Sequence, residues 1–342
     1  MQLPIDVMAL INEMTDIGEA AKTPLSVSVY IDESAPSDLA AHVRNAFASS
    51  SPSVRMTVSY LDSTFMPHPT DDLAVIAAGS SSSIGAAAAA IRAVGVPVMI
   101  ASTAPAEVSA TAEAGGHAIP EGDLVTPVID EGASQPVPLE GEAVSQLEDR
   151  MGRWLVAACH DKRLALSLAF PFMRRPLARD AVQTTSLQNV GVGLIPVPGA
   201  DLPIMTLNQA KMVLQIAAAY GHEMNKDRVK EIGACLGSAF ICRTLARELT
   251  EFVPFLGWLI KPGIAFGGTT ALGYAIIEYF EGGENVTGVA NVVEKATAKG
   301  AKAFSFVRKK AGKYVPIVVD KLEGAGINLG GQASDTAEGA AR

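Results

Sequence analysis

A glycine followed by four serines is the most suggestive binding pattern in this chain of 342 residues. The segment is "AAGSSSSIG" (77–85), and a helix is predicted to begin within it. Backbone N–H groups at the start of a helix can hold an anion, but serines are also common helix N-caps. Gly79, Ser80, Ser81 and Ser82 are therefore candidate ligand-binding residues, with a structural capping role as the favoured alternative.

The loop after the first predicted strand, "DESAPSD" (32–38), lacks the chemistry of a phosphate site. It contains neither the glycines nor the lysine of a P-loop, and that pattern is absent elsewhere in the chain. Asp32, Glu33 and Asp38 instead place carboxylates where a phosphate would need backbone N–H groups and positive charge.

Other reactive side chains show no catalytic or metal-binding spacing. The histidines are scattered, and Asp71-Asp72 is interpreted as a helix or strand flank rather than a catalytic carboxylate pair. The cysteines, Cys159, Cys235 and Cys242, lack metal spacing and are interpreted as buried free thiols. We therefore predict no catalytic residue, no metal and no cofactor.

A polar stripe on an apolar helix is the second notable pattern. Three polar residues of the segment 205–221 share one helical face, and the predicted helix 230–252 carries three charged residues at four-residue spacing. We expect a structural polar seam, whose members pair inside an apolar bundle or face headgroups and water. Its members are Asp201, Asn208, Lys211, Gln215, Arg243, Arg247 and Glu251.

The elements that must position these residues fall into two classes. Short runs rich in Val and Ile alternate with helical segments over 25–130, which predicts an α/β fold with a mostly parallel, doubly wound sheet. From residue 143 the pattern is helical and apolar, which predicts an all-α domain. The full division is an N-terminal helix (1–24), the α/β domain (25–130), a linker (131–142), an apolar helical domain (143–283), a basic helical segment (284–323) and a disordered tail (324–342).

Charge separates the two halves of the chain. Residues 1–150 hold 5 Lys and Arg against 20 Asp and Glu, a net charge of −15, whereas the remainder holds 22 against 16, a net +6. An acidic half without a basic stripe argues against nucleic-acid binding, and we expect it to meet a protein partner. A homo-oligomer is the other possibility.

Two apolar stretches resemble membrane spans but are interrupted. Residues 181–200 carry no charge but include glutamines, threonines and prolines, and Lys261 interrupts 252–277. We expect re-entrant or tightly packed hairpins, on the cytoplasmic side of the membrane. A basic amphipathic stretch (294–316) is expected to lie on anionic lipid, through Lys295, Lys299, Lys302, Arg308, Lys309, Lys310 and Lys313.

The helical part resembles the family known as domain of unknown function 697, which includes the YcjF-like proteins. The resemblance covers about residues 164–283 and rests on these motifs: Pro198-Gly199-Ala200-Asp201, Asn208-Gln209, 217–221, Val253-Pro254, the glycine-rich 263–273 and Tyr279-Phe280-Glu281. It implies membrane association and attachment to an Era-like small GTPase domain. The first half then resembles, more loosely, a G domain without its chemistry, because Ser102-Thr103-Ala104-Pro105 stands in place of the guanine-reading Asn-Lys-x-Asp.

Three functional hypotheses follow from these patterns. The favoured one is a non-enzymatic, membrane-associated docking or scaffolding factor with a nucleotide-free GTPase-like domain. The second is a nucleotide-dependent switch or an enzyme, with a non-standard ligand at 79–85. The third is a soluble helical scaffold or homo-oligomer in the cytoplasm.

The acidic loop 32–38 predicts that the protein does not bind GTP or ATP. We expect no change in the thermal unfolding midpoint when either nucleotide is added with magnesium, because Asp32, Glu33 and Asp38 repel phosphate. A stabilisation by nucleotide that disappears when this loop is mutated would contradict the prediction.

Overall fold

The computed structural model describes residues 7–127, 135–193, 201–223 and 257–282. Helix α1 (Val7–Ala20) precedes an alternating series of strands and helices. The series is β1 (Leu25–Ile31), α2 (Ser37–Ala46), β2 (Val54–Tyr60), β3 (Leu73–Ala77), α3 (Ser83–Ala93), β4 (Val98–Ala101), α4 (Pro105–Ala114) and β5 (Leu124–Val125). Further helices are α5 (Glu142–Ala158), α6 (Arg163–Ala169), α7 (Arg174–Gly193), α8 (Asp201–Ala219) and α9 (Gly257–Glu281).

The five strands form one parallel sheet in the order β2-β1-β3-β4-β5. The central strands β3 and β4 are buried at every position, and both are made of Val, Ile, Leu, Met and Ala. Such continuous apolar runs are typical of strands covered on both faces. The α/β class and the parallel sheet predicted from the sequence are therefore confirmed.

Helices cover the two faces of the sheet unequally. On one face α2 and α5 pack their buried apolar residues, including Leu39, Val43 and Met151, against the strands. On the other face α3 and α4 do the same with residues such as Ile84 and Val108. The connection from β2 to β3 contains no helix, and it covers its part of the sheet with Leu61 and with Phe65.

Two adjacent carboxylates lock the edge of the sheet at which β3 begins. The buried Asp71 accepts hydrogen bonds from Ser26 Oγ (2.6 Å) and Ser28 Oγ (2.5 Å) of β1, and Arg55 of β2 lies 3.1 Å away. Asp72 accepts from the Ser26 N–H (2.8 Å) and pairs with Lys162, in the short turn between α5 and α6. The carboxylates of Asp71 and Asp72 are therefore hydrogen-bonded or ion-paired to β1, to β2 and to the turn at Lys162.

The chain divides into two compact units, with the divisions inside α7 and α8. The sheet unit includes the described residues 7–127, 135–181 and 210–223, and the helical unit includes 182–193, 201–209 and 257–282. The sheet unit includes α5, because the apolar face of this helix, with Leu147, Met151 and Leu155, joins the core of the sheet.

The helical unit has polar residues in its interior. Asn189 and Thr269 are fully buried, and Gln209 is 2% exposed. Gly273 of α9 lies so close to Val182 of α7 that an added Cβ would be 2.3 Å from its Cγ2 atom. No helix among the described residues has the length and apolar character needed to cross a bilayer. The helices of the predicted apolar helical domain are therefore present. No described helix confirms that this domain is apolar over the length of a membrane span.

Several predicted features lie outside the described residues. They are the helix 230–252, the whole basic segment 284–323 with its cations, and the tail 324–342.

The close contact at Gly273 predicts opposite effects for two substitutions in the same helix. Gly273→Ala should lower the free energy of unfolding by about 1–3 kcal/mol, because its Cβ would collide with Val182. Gly268→Ala is the matched control, since nothing lies within 4 Å of its added Cβ, and it should stabilise α9 by up to about 1 kcal/mol. Denaturant unfolding followed by circular dichroism measures both, and equal stabilisation by the two variants would contradict the close packing.

Candidate functional site

A small cleft lies at the carboxyl edge of the sheet, where ligands bind in doubly wound folds. Its volume is about 30 Å³. Small-molecule sites usually measure about 300–1,000 Å³, so this cleft has room for a group the size of one water molecule or a little more. The residues that line it are Ser34, Pro36, Ala78, Gly79, Ser80, Thr103, Ala104, Glu107 and Pro136.

The loops that follow β1 and β3 are hydrogen-bonded to each other at the cleft. Asp32 is 3% exposed, and its Oδ2 atom accepts from Ser34 Oγ (2.5 Å) and from the Gly79 N–H (3.0 Å). Ser34 Oγ in turn accepts from the Ser80 N–H (2.8 Å). The two backbone N–H groups best placed to bind an anion therefore already donate to the protein itself.

Gly79 is required at its position by this close approach of the two loops. A Cβ atom there would lie 2.3 Å from both the carbonyl carbon and the carbonyl oxygen of Ser34. Backbone atoms cannot turn away as the end of a flexible side chain can. The glycine of "AAGSSSSIG" thus has a packing role.

The serines predicted as ligand candidates occupy different positions. Ser80 lines the cleft together with Gly79, whereas Ser81 and Ser82 do not. Ser81 Oγ lies 2.7 Å from Ser83 Oγ and accepts from the Ser83 N–H (3.3 Å). Ser82 is the N-cap residue of α3 and makes no side-chain capping bond.

The loop after β4 contributes residues that the sequence analysis did not select. Thr103 is 1% exposed, and its Oγ1 atom has no hydrogen-bond partner in the described part of the chain. Ser102, also buried, accepts from the Ala104 N–H (3.0 Å), and Glu107 lies in the first turn of α4. The available signal was their position, because residues directly after parallel strands meet at one edge of the sheet.

Part of the predicted linker also packs at this edge. The Val137 N–H donates to the Thr103 carbonyl (3.2 Å), and the Leu139 N–H donates to Asp38 Oδ2 (2.8 Å). Leu139 is buried in the sheet core, and Pro136 lines the cleft. This stretch therefore forms one wall of the cleft.

In the helical unit, one predicted seam residue joins a buried polar network. Asn208 donates to Asn189 Oδ1 at 2.9 Å. Asn189 and Gln209 both donate to Thr269 Oγ1, and each of these bonds also measures 2.9 Å. Ser186 Oγ lies 2.9 Å from Thr270 Oγ1. Of this network, only Asn208 was selected as a seam residue. Gln209 was named only in the motif Asn208-Gln209, and the other members lie on α7 and α9, far away in the sequence.

Two other seam residues bond to α1 within the sheet unit. Lys211 Nζ lies 3.0 Å from Glu13 Oε2, and Gln215 donates to Glu13 Oε1 at 2.7 Å. The sequence analysis expected the seam residues to pair with one another inside a bundle or to face headgroups and water, and Glu13 was not among them. Arg243, Arg247 and Glu251 lie outside the described residues, as does the side chain of Asp201.

No nucleophile or metal centre is assembled in the described residues. Burial raises the pKa of the Cys159 thiol to about 12, with the Asp72 carboxylate raising it further and Lys162 lowering it. A thiol with that pKa is protonated at neutral pH and is a poor nucleophile. Within the described ranges no group of three His, Cys, Asp or Glu side chains could hold a metal ion.

Comparison with known proteins gives one distant similarity. The chain is 22% identical over 118 residues to "Magnetosome membrane protein 22" of Magnetospirillum gryphiswaldense. The matched part is 32% of this chain, and the chain spans only 60% of that relative's length. No family model matches the chain. No solved structure matches it. The resemblance to the family of domain of unknown function 697, and to a G domain, therefore stays a prediction.

The close approach at Gly79 predicts that Gly79→Ala destabilises the sheet unit. The added methyl group would collide with the Ser34 backbone and separate Asp32 from the Gly79 N–H, for which we expect a loss of at least about 1–3 kcal/mol in unfolding free energy. Gly18→Ala in α1 is the control, because its Cβ meets nothing within 4 Å. Urea unfolding of both variants tests this, and a Gly79→Ala protein as stable as the control would show that the loops can separate freely.

Proposed function

We propose that this chain is a non-enzymatic, membrane-associated protein of two modules that docks a protein partner. In this proposal the helical unit and the basic segment attach the chain to the membrane. The acidic α/β part receives the partner on the cytoplasmic side. Self-association of the helical unit is compatible with this role.

The observation that carries the membrane role is the hydrogen-bonded polar network inside the helical unit. Asn189, Gln209 and Thr269 are uncharged, buried and bonded to one another. Helices that associate in lipid lack a hydrophobic driving force, and they commonly use such polar contacts together with close approach at small residues. The contact of Gly273 with Val182 is of the second kind.

Further support comes from the distant relative, whose name describes a magnetosome membrane protein. The apolar stretch 181–205 suits a packed or re-entrant hairpin, because α7 ends at Gly193 and α8 begins at Asp201. The hairpin expected over 252–277 is wrong for most of that stretch, because α9 runs without interruption from Gly257 to Glu281. The resemblance to domain of unknown function 697 supports the same role.

The carboxyl edge of the sheet supports the non-enzymatic part of the proposal. The cleft of about 30 Å³ is far smaller than a nucleotide site, and the Gly79 and Ser80 N–H groups are already bonded. We therefore propose that the sheet is a nucleotide-free GTPase-like domain used as a docking module. No observation favours the alternative of a nucleotide-dependent switch.

Fractionation of cells followed by a carbonate wash tests the membrane attachment. We expect the full-length chain to sediment with membranes and to stay there after the wash, as hairpins embedded in lipid would. A chain found entirely in the supernatant before the wash would contradict the proposal and favour the scaffold alternative.

The basic segment can be tested separately with vesicles. Replacing the seven cations of its amphipathic stretch 294–316 by Gln should weaken flotation with anionic vesicles by at least about tenfold, since each cation near the surface contributes about 1 kcal/mol. Neutral phosphatidylcholine vesicles are the control, because the variant and the natural chain should bind them equally. The residues to replace are Lys295, Lys299, Lys302, Arg308, Lys309, Lys310 and Lys313.

A further inference from the structure

Strand β2 forms a long, unprotected edge of the sheet. In the described part of the chain β2 pairs only with β1, and it has seven residues, whereas β5 at the other edge has two. Natural sheets usually protect an exposed edge with lysine, proline, a bulge or a covering element, because an open edge can pair with a strand of another chain. β2 contains no lysine and no proline, and its register with β1 runs without a bulge.

The backbone groups at this edge point away from the protein. The Leu61 N–H donates to the Ile31 carbonyl of β1, and in a parallel ladder every second residue of a strand bonds to the same neighbour. The alternate residues of β2, which are Met56, Val58 and Tyr60, therefore direct their N–H and C=O groups outward. These groups are available to another strand.

The side chains of the same three residues form an apolar row that is partly uncovered. Met56 packs against the core of the sheet, whereas Val58 is 46% exposed and Tyr60 is 60% exposed. Side chains two residues apart in a strand lie on the same face, so the row runs along one side of the edge. Single exposed apolar residues are normal on a protein surface, but a row that coincides with open backbone groups fits an added strand.

The charges at the two ends of β2 favour a second copy of this chain, in the antiparallel orientation. The side chain of Arg55, near the beginning of the strand, is 60% exposed, and Asp62, directly after the end of the strand, is exposed. Antiparallel pairing of two identical strands places the beginning of each beside the end of the other. Each Arg55 would then lie near Asp62 of the second copy, and opposite charges stabilise a strand pair.

We propose that two copies of this chain associate through their β2 strands, which joins the two sheets into one sheet of ten strands, five from each copy. With the two-fold axis at Val58, each Val58 lies opposite Val58 of the other copy, and each Met56 lies opposite Tyr60. The outward groups then form about six hydrogen bonds, two for each of the three residue pairs. A pairing shifted toward the beginning of the strand would need the Val54 N–H, which already donates to the Ser51 carbonyl. This association is independent of the membrane and docking roles proposed above.

Sedimentation velocity of the full-length chain in mild detergent tests the association. At about 0.15 M salt the Debye length is about 8 Å, so most of the repulsion between the acidic halves of two copies is screened. We expect a monomer–dimer equilibrium. Val58→Lys should raise the dimer Kd by at least about tenfold, because it places two like charges directly opposite each other.

Ala110→Lys is the matched control for the added charge. Ala110 is an exposed residue of α4, the helix between β4 and β5, and these two strands lie at the other side of the sheet from β2. The control should change the dimer Kd by no more than about twofold, since it adds the same charge outside the interface.

Cysteine cross-linking in membranes tests the register and does not depend on the stability of Val58→Lys. Opposite Cα atoms of a hydrogen-bonded antiparallel pair lie about 5.5 Å apart, within the range of about 4.4–6.8 Å that a disulfide spans. Val58→Cys, oxidised with copper phenanthroline, should therefore give a covalent dimer on a non-reducing gel. The natural chain, which has three cysteines, gives the background.

Met56→Cys and Tyr60→Cys are the controls for the position of the axis. Neither variant alone should cross-link, because its two thiols belong to residues separated by about 13 Å along the strands. A mixture of the two variants should cross-link, since residues 56 and 60 of different copies lie opposite each other.

Three results would overturn the inference. A chain that stays monomeric at every concentration would exclude the dimer, and a dimer that Val58→Lys and Ala110→Lys affect equally would place the interface elsewhere. Equal cross-linking of the three single cysteine variants would indicate random collision of copies. None of these results alters the carbonate or flotation experiments, so the membrane proposal stands or fails separately.

Discussion

The sheet depends on the two carboxylates that precede β3. Asp71 and Asp72 together hold β1, β2 and the turn at Lys162, at the edge of the sheet opposite to the cleft. Charged hydrogen bonds to a buried carboxylate are strong and directional, and leaving one of them unpaired is costly. In most doubly wound sheets a packed crossover helix holds consecutive strands in place. No helix joins β2 to β3 here, and these bonds hold the strands instead. They fix the register of β2 against β1 and bring α5 and α6 onto the sheet.

The loops at the carboxyl edge of the sheet depend on how the strands are held at the opposite edge. With the strands held at their beginnings, the loops after β1 and β3 approach closely enough for Asp32 to accept from the Gly79 N–H. Asp32 and Ser34 thus use the two backbone N–H groups, those of Gly79 and Ser80, that are best placed for an external anion. Among the described residues, Glu107 is the one charged side chain that lines the cleft.

Much of the fold could be predicted from the sequence because its signals are local. Runs such as "LAVIAAG" and "VPVMIAS" specify buried parallel strands, and the glycine-free loop 32–38 argues against phosphate binding. The site was harder to predict, since Thr103 and Glu107 have no local pattern and matter only where they meet Ser34 and Pro136. Lys211 and Glu13 are paired although they lie far apart in the sequence, and no spacing rule indicates this pair. The end of the sheet unit was also not predictable, because α5 has the same helical periodicity whether it packs on a sheet or on other helices.

The helix-free connection between β2 and β3 also bears on how this protein can change over evolutionary time. Leu61 and Phe65 pack it against the sheet, and Met66 is 75% exposed. Each doubling of the length of a flexible loop adds only about 0.6 kcal/mol of closure entropy. An insertion between Phe65 and Asp71 therefore costs the fold little while Asp71 and Asp72 keep the strands in place. This is where a lineage can acquire a new segment, and with it a new partner, without rebuilding the sheet.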